Sequence, residues 1–252
     1  MDTPTPSPRL LALLRSRGPL LVLTGAGVSR ESGIETFRDG GGLWEGVDPR
    51  EVATPRAFAA DPAKVWRFYD ERRARAAGVS PNPAHLAIAA LEGTGRPFLL
   101  ATQNVDGLHE RAGSVAIVRL HGSLWRLRCT VEGTEHDDMR ASLAPLPPRC
   151  ACGALLRPAV VWFDEALPTA AFQQAAAAAR SAELVLVAGT SAIVYPAASL
   201  PYMALEAGAH VVEINPERTA LTPDASEHLR GAAGLVLPSL LAAAGIPMGR
   251  AA

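Results

Sequence analysis

Residues 20–38 read LLVLTGAGVSRESGIETFR, and this stretch decides the fold. Leu20, Leu21, Val22 and Leu23 form an apolar run of strand length, and Gly25-Ala26-Gly27 turns the chain directly after it. A buried strand that feeds a Gly-x-Gly turn opens a dinucleotide-binding unit, because the bare backbone can approach a phosphate there. Two features depart from the hydride-carrier version of that unit. Arg30 stands where the third glycine of G-x-G-x-x-G belongs, and the next glycine is Gly33, followed by Phe37 and Arg38. An acid about 20 residues further on would grip the ribose in a dehydrogenase. Asp48 and Glu51 fall at that distance, neither at the end of a predicted strand.

Working outward, the same strand-length runs recur at Pro97–Ala101, Val115–Leu120, Glu183–Ala188, His210–Ile214 and Gly234–Leu237. Predicted helices lie between them at Ala84–Glu92, Ala170–Ala182 and Ala197–Ala207, the first introduced by an Asn82 cap and Pro83. Strands alternating with helices predict an α/β fold with a doubly wound, Rossmann-like, mainly parallel sheet. The residues that follow the strands are Thr24-Gly25, Thr102 to Asp106, His121-Gly122, Gly189 to Ser191 and Asn215 to Glu217. In an open parallel sheet the ligand crevice lies at the carboxyl ends of the strands, so glycines, amides, hydroxyls, a carboxylate and an imidazole converge there. Two segments interrupt the alternation and predict a smaller inserted lobe, a helical segment plus a cysteine-containing module. The expected division gives the large lobe 8–38, 82–124 and 158–252, and the small lobe 39–81 and 125–157, within one catalytic domain.

The bulk composition narrows the class. A net charge of −1 without a basic block argues against nucleic acid or an anionic membrane as the main partner. Only Lys64 among the 24 basic residues is a lysine, a bias toward arginine read as compositional. No apolar run reaches the ~20 residues of a membrane helix, and the amino terminus lacks the pattern of a secretory signal. Three cysteines make a poor disulfide framework, so a reducing, cytoplasmic setting is expected.

Six motifs in order resemble the sirtuins, the NAD-dependent protein-lysine deacylases. They are GAGVSRESGIETFR (Gly25 to Arg38), TQNVDGLHERAG (Thr102–Gly113), LHGSL (Leu120–Leu124), LRPAVVWFDEALP (Leu156–Pro168), GTSAIVYPAA (Gly189–Ala198) and EINPE (Glu213–Glu217). The resemblance implies a loop that holds NAD as a reactant to be cleaved. It implies cofactor contacts from Gly25, Ala26, Gly27, Phe37, Arg38, Gln103 and Val105. Asn104 and Asp106 would line the nicotinamide pocket, Gly189, Thr190, Ser191, Asn215 and Glu217 the phosphates and riboses, and Ala233 the adenine end. His121 would be the general base toward a ribose hydroxyl, a task suited to a group that titrates near neutrality. The other histidines carry no such role; His85 and His109 read as structural. The implied partners are acylated-lysine proteins, docking as a strand beside Val160, Val161, Trp162 and Phe163, and the products are nicotinamide, free lysine and O-acyl-ADP-ribose. Asp164 replaces a glycine common in that motif.

The helix predicted from Pro62, with Asp61 as its cap, puts Val65, Tyr69 and Arg72 on one stripe. Tyr-x-x-Arg is similar to the signature of the desuccinylase and demalonylase branch, where an arginine fork and a phenol bind a distal carboxylate, and Ala53 leaves room for the longer acyl group. A plain deacetylase of the same family and an NAD-dependent protein ADP-ribosyltransferase are the alternatives. The family's small lobe usually holds zinc with four cysteines. Here Cys129, Cys150 and Cys152 leave the set one short of a tetrahedron; either Glu132, His136 or Asp137 completes it, or the lobe has lost the metal.

Overall fold

The computed structural model describes residues 4–35 and 47–248. The expected contacts Phe37 and Arg38 lie outside them. Six strands form one parallel sheet: β1 (Leu20–Thr24), β2 (Phe98–Thr102), β3 (Ile117–Arg119), β7 (Leu184–Ala188), β8 (His210–Asn215) and β9 (Glu227–Arg230). Their order is β3-β2-β1-β7-β8-β9, so the chain reverses direction of winding at β1. Alternate residues of β1 serve opposite faces, as the two-residue period of a strand requires. Leu20 and Val22 pack on α1 (Pro8–Arg15), α4 (Pro83–Glu92) and α8 (Ala233–Ala244). Leu21 and Leu23 pack on α6 (Thr169–Ser181) and α7 (Leu200–Glu206). Helices on both faces explain why the strands read as unbroken apolar runs.

One expected strand is corrected. Gly234–Leu237 lies inside α8, and the sixth strand is Glu227–Arg230, the sheet edge. A four-residue apolar run does not distinguish a buried strand from one turn of a buried helix. The true edge strand, Glu227-His228-Leu229-Arg230, buries only Leu229 and therefore carries no apolar signal.

The remaining strands form an antiparallel sheet ordered β5-β4-β6, with β4 at Gly122–Cys129, β5 at Glu135–Asp137 and β6 at Leu156–Val160. It shares a separate core with α2 (Pro55–Ala60) and α3 (Pro62–Gly78), built on Phe58, Val65, Trp66, Tyr69, Leu127 and Trp162. Asp61 caps α3 by accepting from the Lys64 amide at 2.9 Å, with Pro62 in the first turn. Arg73, buried on the same helix, donates to the backbone carbonyls of Leu124, Asp138 and Arg140 and pairs with the Asp138 carboxylate at 2.9 Å. Its guanidinium also lies over the Trp125 ring. One arginine thus pins α3 to the antiparallel sheet. A short helix, α5 (Leu108–Arg111), follows β2. Among the described residues no helix is long and apolar enough to cross a membrane.

Candidate active site

The parallel register brings the strand ends level, with Thr24 opposite both Thr102 and Ala188. The chain leaves β1 and β7 in near contact. The Gly27 amide donates to the Gly189 carbonyl at 2.8 Å, and a Cβ on Gly27 would stand 2.8 Å from the Gly189 Cα. Glycine here allows two backbones to touch, and Gly189, at φ 61°, turns the chain beneath the Gly25–Gly33 loop. Gln103 donates to the Thr190 hydroxyl at 3.1 Å, and Asn215 to the Thr190 carbonyl at 2.9 Å. Gln103, Thr190 and Asn215 therefore form one wall across β2, β7 and β8. Ser191 is half-buried beside it, Glu217 is exposed with its amide on the Asn215 side chain, and Ala233 is buried at the start of α8.

Behind the loop lies a buried polar network. Asn104 donates to the Ser29 hydroxyl at 3.0 Å, and Ser29 donates to the Asp106 carboxylate at 2.8 Å. The second carboxylate oxygen accepts from the Leu108 amide at 2.9 Å. Burial pushes the Asp106 carboxyl above the usual range, against the pull of the Leu108 amide and the Ser29 hydroxyl. Val105, between them, is partly buried against the antiparallel sheet's core. His85 joins through Nε2, 3.3 Å from the Ser29 oxygen, while its Nδ1 accepts from the Asn82 amide. Since the Ser29 proton goes to Asp106, His85 Nε2 carries the hydrogen. His109 Nε2 meets Thr24 at 3.0 Å. Nothing in the sequence singled out Ser29 beyond its position between Gly27 and Gly33.

Burial holds these two histidines neutral, His85 down to about 4 and His109 to about 3. Both values lie below the ~6.5 of an unfolded histidine. The unfolded chain therefore binds more protons between pH 6.5 and 4, and stability falls as pH falls through that window. Urea denaturation at pH 7 and pH 5 should show a loss on the order of 2 kcal/mol or more from the pair. Equal stability at the two pH values would contradict it.

His121 follows β3 and precedes β4. Its Nδ1 lies 3.1 Å from the Gln103 carbonyl, so Nδ1 holds the hydrogen and Nε2 keeps its lone pair. Burial lowers its pKa, against the Gln103 carbonyl, which raises it. The imidazole is thus neutral, oriented and basic at Nε2. The His121 carbonyl accepts from the Val161 amide at 2.9 Å, which joins the histidine to the segment after β6.

That segment carries the expected substrate residues. The Phe163 amide donates to the Ala53 carbonyl at 2.9 Å. Val160 is buried, whereas the Phe163 side chain is 48 % exposed. Trp162 Nε1 donates to the Tyr69 hydroxyl at 3.0 Å, and Phe58 packs on the Trp162 ring. Burial pushes the Tyr69 phenol up to about 12, so it is un-ionised. Arg72 is 7 % exposed, and its charge acts on both the Tyr69 phenol and the Asp106 carboxylate. Ala53, Tyr69 and Trp162 share the core against which Val105 packs, so they lie beside the Asn104–Asp106 segment, and Phe163 joins them through Ala53. Asp164, where a glycine is common, adopts φ 70°, a conformation aspartate enters more readily than most residues.

The cysteines meet at two facing turns, Cys129-Thr130-Val131-Glu132-Gly133 and Cys150-Ala151-Cys152-Gly153, each ending in a glycine with positive φ. Ligand atoms of Cys129, Glu132, Cys150 and Cys152 all lie within 4.8 Å of one another. Cys129 and Cys152 sulfurs are 3.6 Å apart, as are Cys150 Sγ and Glu132 Oε2. Two sulfurs at zinc's ~2.3 Å bond length and the tetrahedral angle stand about 3.8 Å apart. The four groups fit a zinc ion. His136 and Asp137, the other candidates, are exposed on β5 and outside the cluster.

Comparison with known proteins gives a consistent picture. The model of the Sir2 family matches residues 25–196. The chain is 52% identical to the NAD-dependent protein deacylase 2 of Pyrobaculum aerophilum over 91% of its own length and 92% of that protein's. Among solved structures, it superimposes on a Sir2 homologue in complex with NAD with a TM-score of 0.90 at 46% identity, covering 97% of this chain and 96% of that one. A mutant Sir2 homologue bound to 2'-O-acetyl ADP ribose matches with a TM-score of 0.90 at 47% identity, over 95% and 96% of the two chains.

Proposed function

The chain belongs to the Sir2 family, and on that premise we propose that it is an NAD-dependent protein-lysine deacylase preferring succinyl and malonyl groups. The observation that carries the preference is the burial of Tyr69 and Arg72 together beside the Asp106 network. A buried guanidinium and an un-ionised phenol are the two donors that a distal carboxylate requires. An acetyl group offers them nothing.

NAD supplies the ribose carbon to which the acyl oxygen bonds as nicotinamide leaves. Asn104 and Asp106, held by Ser29, line the nicotinamide pocket in this reading, and the buried surroundings keep water from the reacting carbon. Nε2 of His121 takes the proton of a ribose hydroxyl, which then attacks the former acyl carbonyl carbon. Gln103, Thr190 and Asn215 hold the phosphate and ribose side of the cleft. An acylated-lysine protein lies as a strand along Val161–Phe163. Cys129, Glu132, Cys150 and Cys152 would hold a zinc ion, which would tie the turn after β4 to the Cys150–Gly153 turn.

Matched succinyl-lysine and acetyl-lysine peptides with NAD, followed by mass spectrometry, test the reading. Arg72→Met should lower kcat/KM for the succinyl peptide by about 10- to 100-fold, the worth of a charged hydrogen bond. Acetyl turnover should fall by clearly less than succinyl turnover, because an acetyl group makes no hydrogen bond to the guanidinium and feels only the loss of the Arg72 charge near Asp106. Acetyl preference in the unmodified protein would make it a deacetylase. ADP-ribose left on protein would make it an ADP-ribosyltransferase.

A further inference from the structure

We propose that Glu31 is a positioning residue for the co-substrate, tying the phosphate loop to the start of α8 and so setting the span over which the dinucleotide lies. The inference rests on the reading of this cleft as the NAD site. Glu31 sits in a short 3-10 turn, Arg30–Ser32, at the far end of the Gly25–Gly33 loop. Its carboxylate accepts the backbone N–H of Gly234 at 2.7 Å, a contact that joins residues 203 positions apart.

The first amides of a helix lack partners within it and normally find them in the side chain of the preceding residue. The residue before α8 is Ala232, which has no group to offer. Glu31 supplies the acceptor from a different segment, and its negative charge suits the positive end of a helix of twelve residues. Gly234 admits it. A Cβ at that position would lie 2.7 Å from the Glu31 Oε2 and 2.9 Å from its carboxyl carbon. Val28, from the same loop, and Ala233 belong to one core cluster, so the packing around the contact is already close.

The contact also closes a circuit around the cleft. Gly231, just before α8, donates its amide to the Asn215 carbonyl at 3.2 Å. Asn215 holds the Thr190 carbonyl, and Gly189 accepts the amide of Gly27 in the phosphate loop. From Gly27 the loop runs back to Glu31. Four strand and helix ends are thereby fixed relative to one another, and the Glu31–Gly234 link is the step made by an ionised side chain. Breaking it loosens the α8 end against the phosphate loop. Asn104, Asp106 and His121 keep their own hydrogen bonds. The expected consequence is weaker dinucleotide binding with the chemical step retained.

The test measures Kd for ADP-ribose by calorimetry, and KM and kcat for NAD at saturating acyl-peptide, in Glu31→Ala, Glu31→Gln and Gly234→Ala. Glu31→Ala should raise both Kd and KM by about fivefold, the affinity equivalent of one helix cap removed, with kcat within about twofold. Glu31→Gln, whose amide oxygen still accepts the N–H, should recover most of the loss, which a merely structural defect would not. Gly234→Ala should reproduce Glu31→Ala from the other side and serves if that variant does not fold. Unchanged Kd in both alanine variants, or a fall in kcat without a rise in KM, would overturn the proposal. Failure of the unmodified chain to bind ADP-ribose would instead overturn the reading of the cleft.

Discussion

Replacing His121 with alanine should lower the rate of lysine deacylation by about 10²- to 10⁴-fold, the usual contribution of a positioned general base. Nicotinamide release and its exchange back into NAD should remain measurable. The two steps separate because only the second requires a proton to be removed. Loss of nicotinamide is driven by attack of the acyl oxygen on the ribose carbon and asks nothing of an imidazole. The later attack by the ribose hydroxyl needs a base, and Nε2 of His121 is free for it because Nδ1 is committed to the Gln103 carbonyl. Burial lowers the pKa of this ring. Deacylation therefore falls as pH drops through that lowered value, at a more acid pH than an ordinary imidazole would give. Labelled nicotinamide exchange and mass analysis of the peptide, run on the same variant, make the comparison. Equal loss of exchange and deacylation would assign His121 a role in binding or folding, and unaltered deacylation would exclude it as the base.

How much of this arrangement was legible in the sequence depends on whether the deciding contact is local. Gly25, Gly27, Asn104, Asp106 and His121 each stand in the loop that follows a strand, and the parallel register carries all of those ends to one edge. Motif and place coincide there, so the α/β class and the contents of the cleft could be read together. Asp61-Pro62 gave the start of α3, because a cap acts within one turn. The failures are of the opposite kind. Gly234–Leu237 has the composition of a strand and becomes a helix because α8 is buried between α1, α4 and the sheet. β9 is a strand because it pairs with β8, although its residues are mostly polar. Glu31 finds its partner 203 positions away, and nothing near it in sequence announces Gly234. Ser29 looks like an ordinary loop serine until folding places Asn104 and Asp106 on either side of it.

The choice among Glu132, His136 and Asp137 shows the same limit, and it leads to the second large effect. Spacing alone could not select between them. The fold does, because Glu132 lies in the turn that Gly133 ends and its own amide donates to the Cys129 sulfur at 3.4 Å, while β5 carries His136 and Asp137 away. A carboxylate in place of a fourth thiolate keeps the tetrahedron but weakens it, since zinc is borderline soft and favours sulfur. The purified chain should therefore carry one zinc that a chelator removes, and its removal should lower Tm by about 10 °C or more, at 2–4 °C per kcal/mol for a chain of this size. The turn borders a cavity of about 430 Å³ lined by Phe58, Arg157 and Trp162, so its loosening should reach the substrate segment as well. Glu132→Cys should slow extraction of the metal by at least about tenfold and Glu132→Ala should speed it similarly, since a direct ligand is worth no less than the outer-shell partners whose loss costs about 10- to 100-fold in affinity. Cobalt substitution offers a readout independent of activity, because the thiolate charge-transfer band should strengthen in Glu132→Cys and keep its three-thiolate intensity in Glu132→Ala. Identical metal affinity in all three proteins would remove Glu132 from the site. A chain whose Tm ignores the chelator would mean that packing of Leu127, Trp66 and Leu156 holds this lobe without metal.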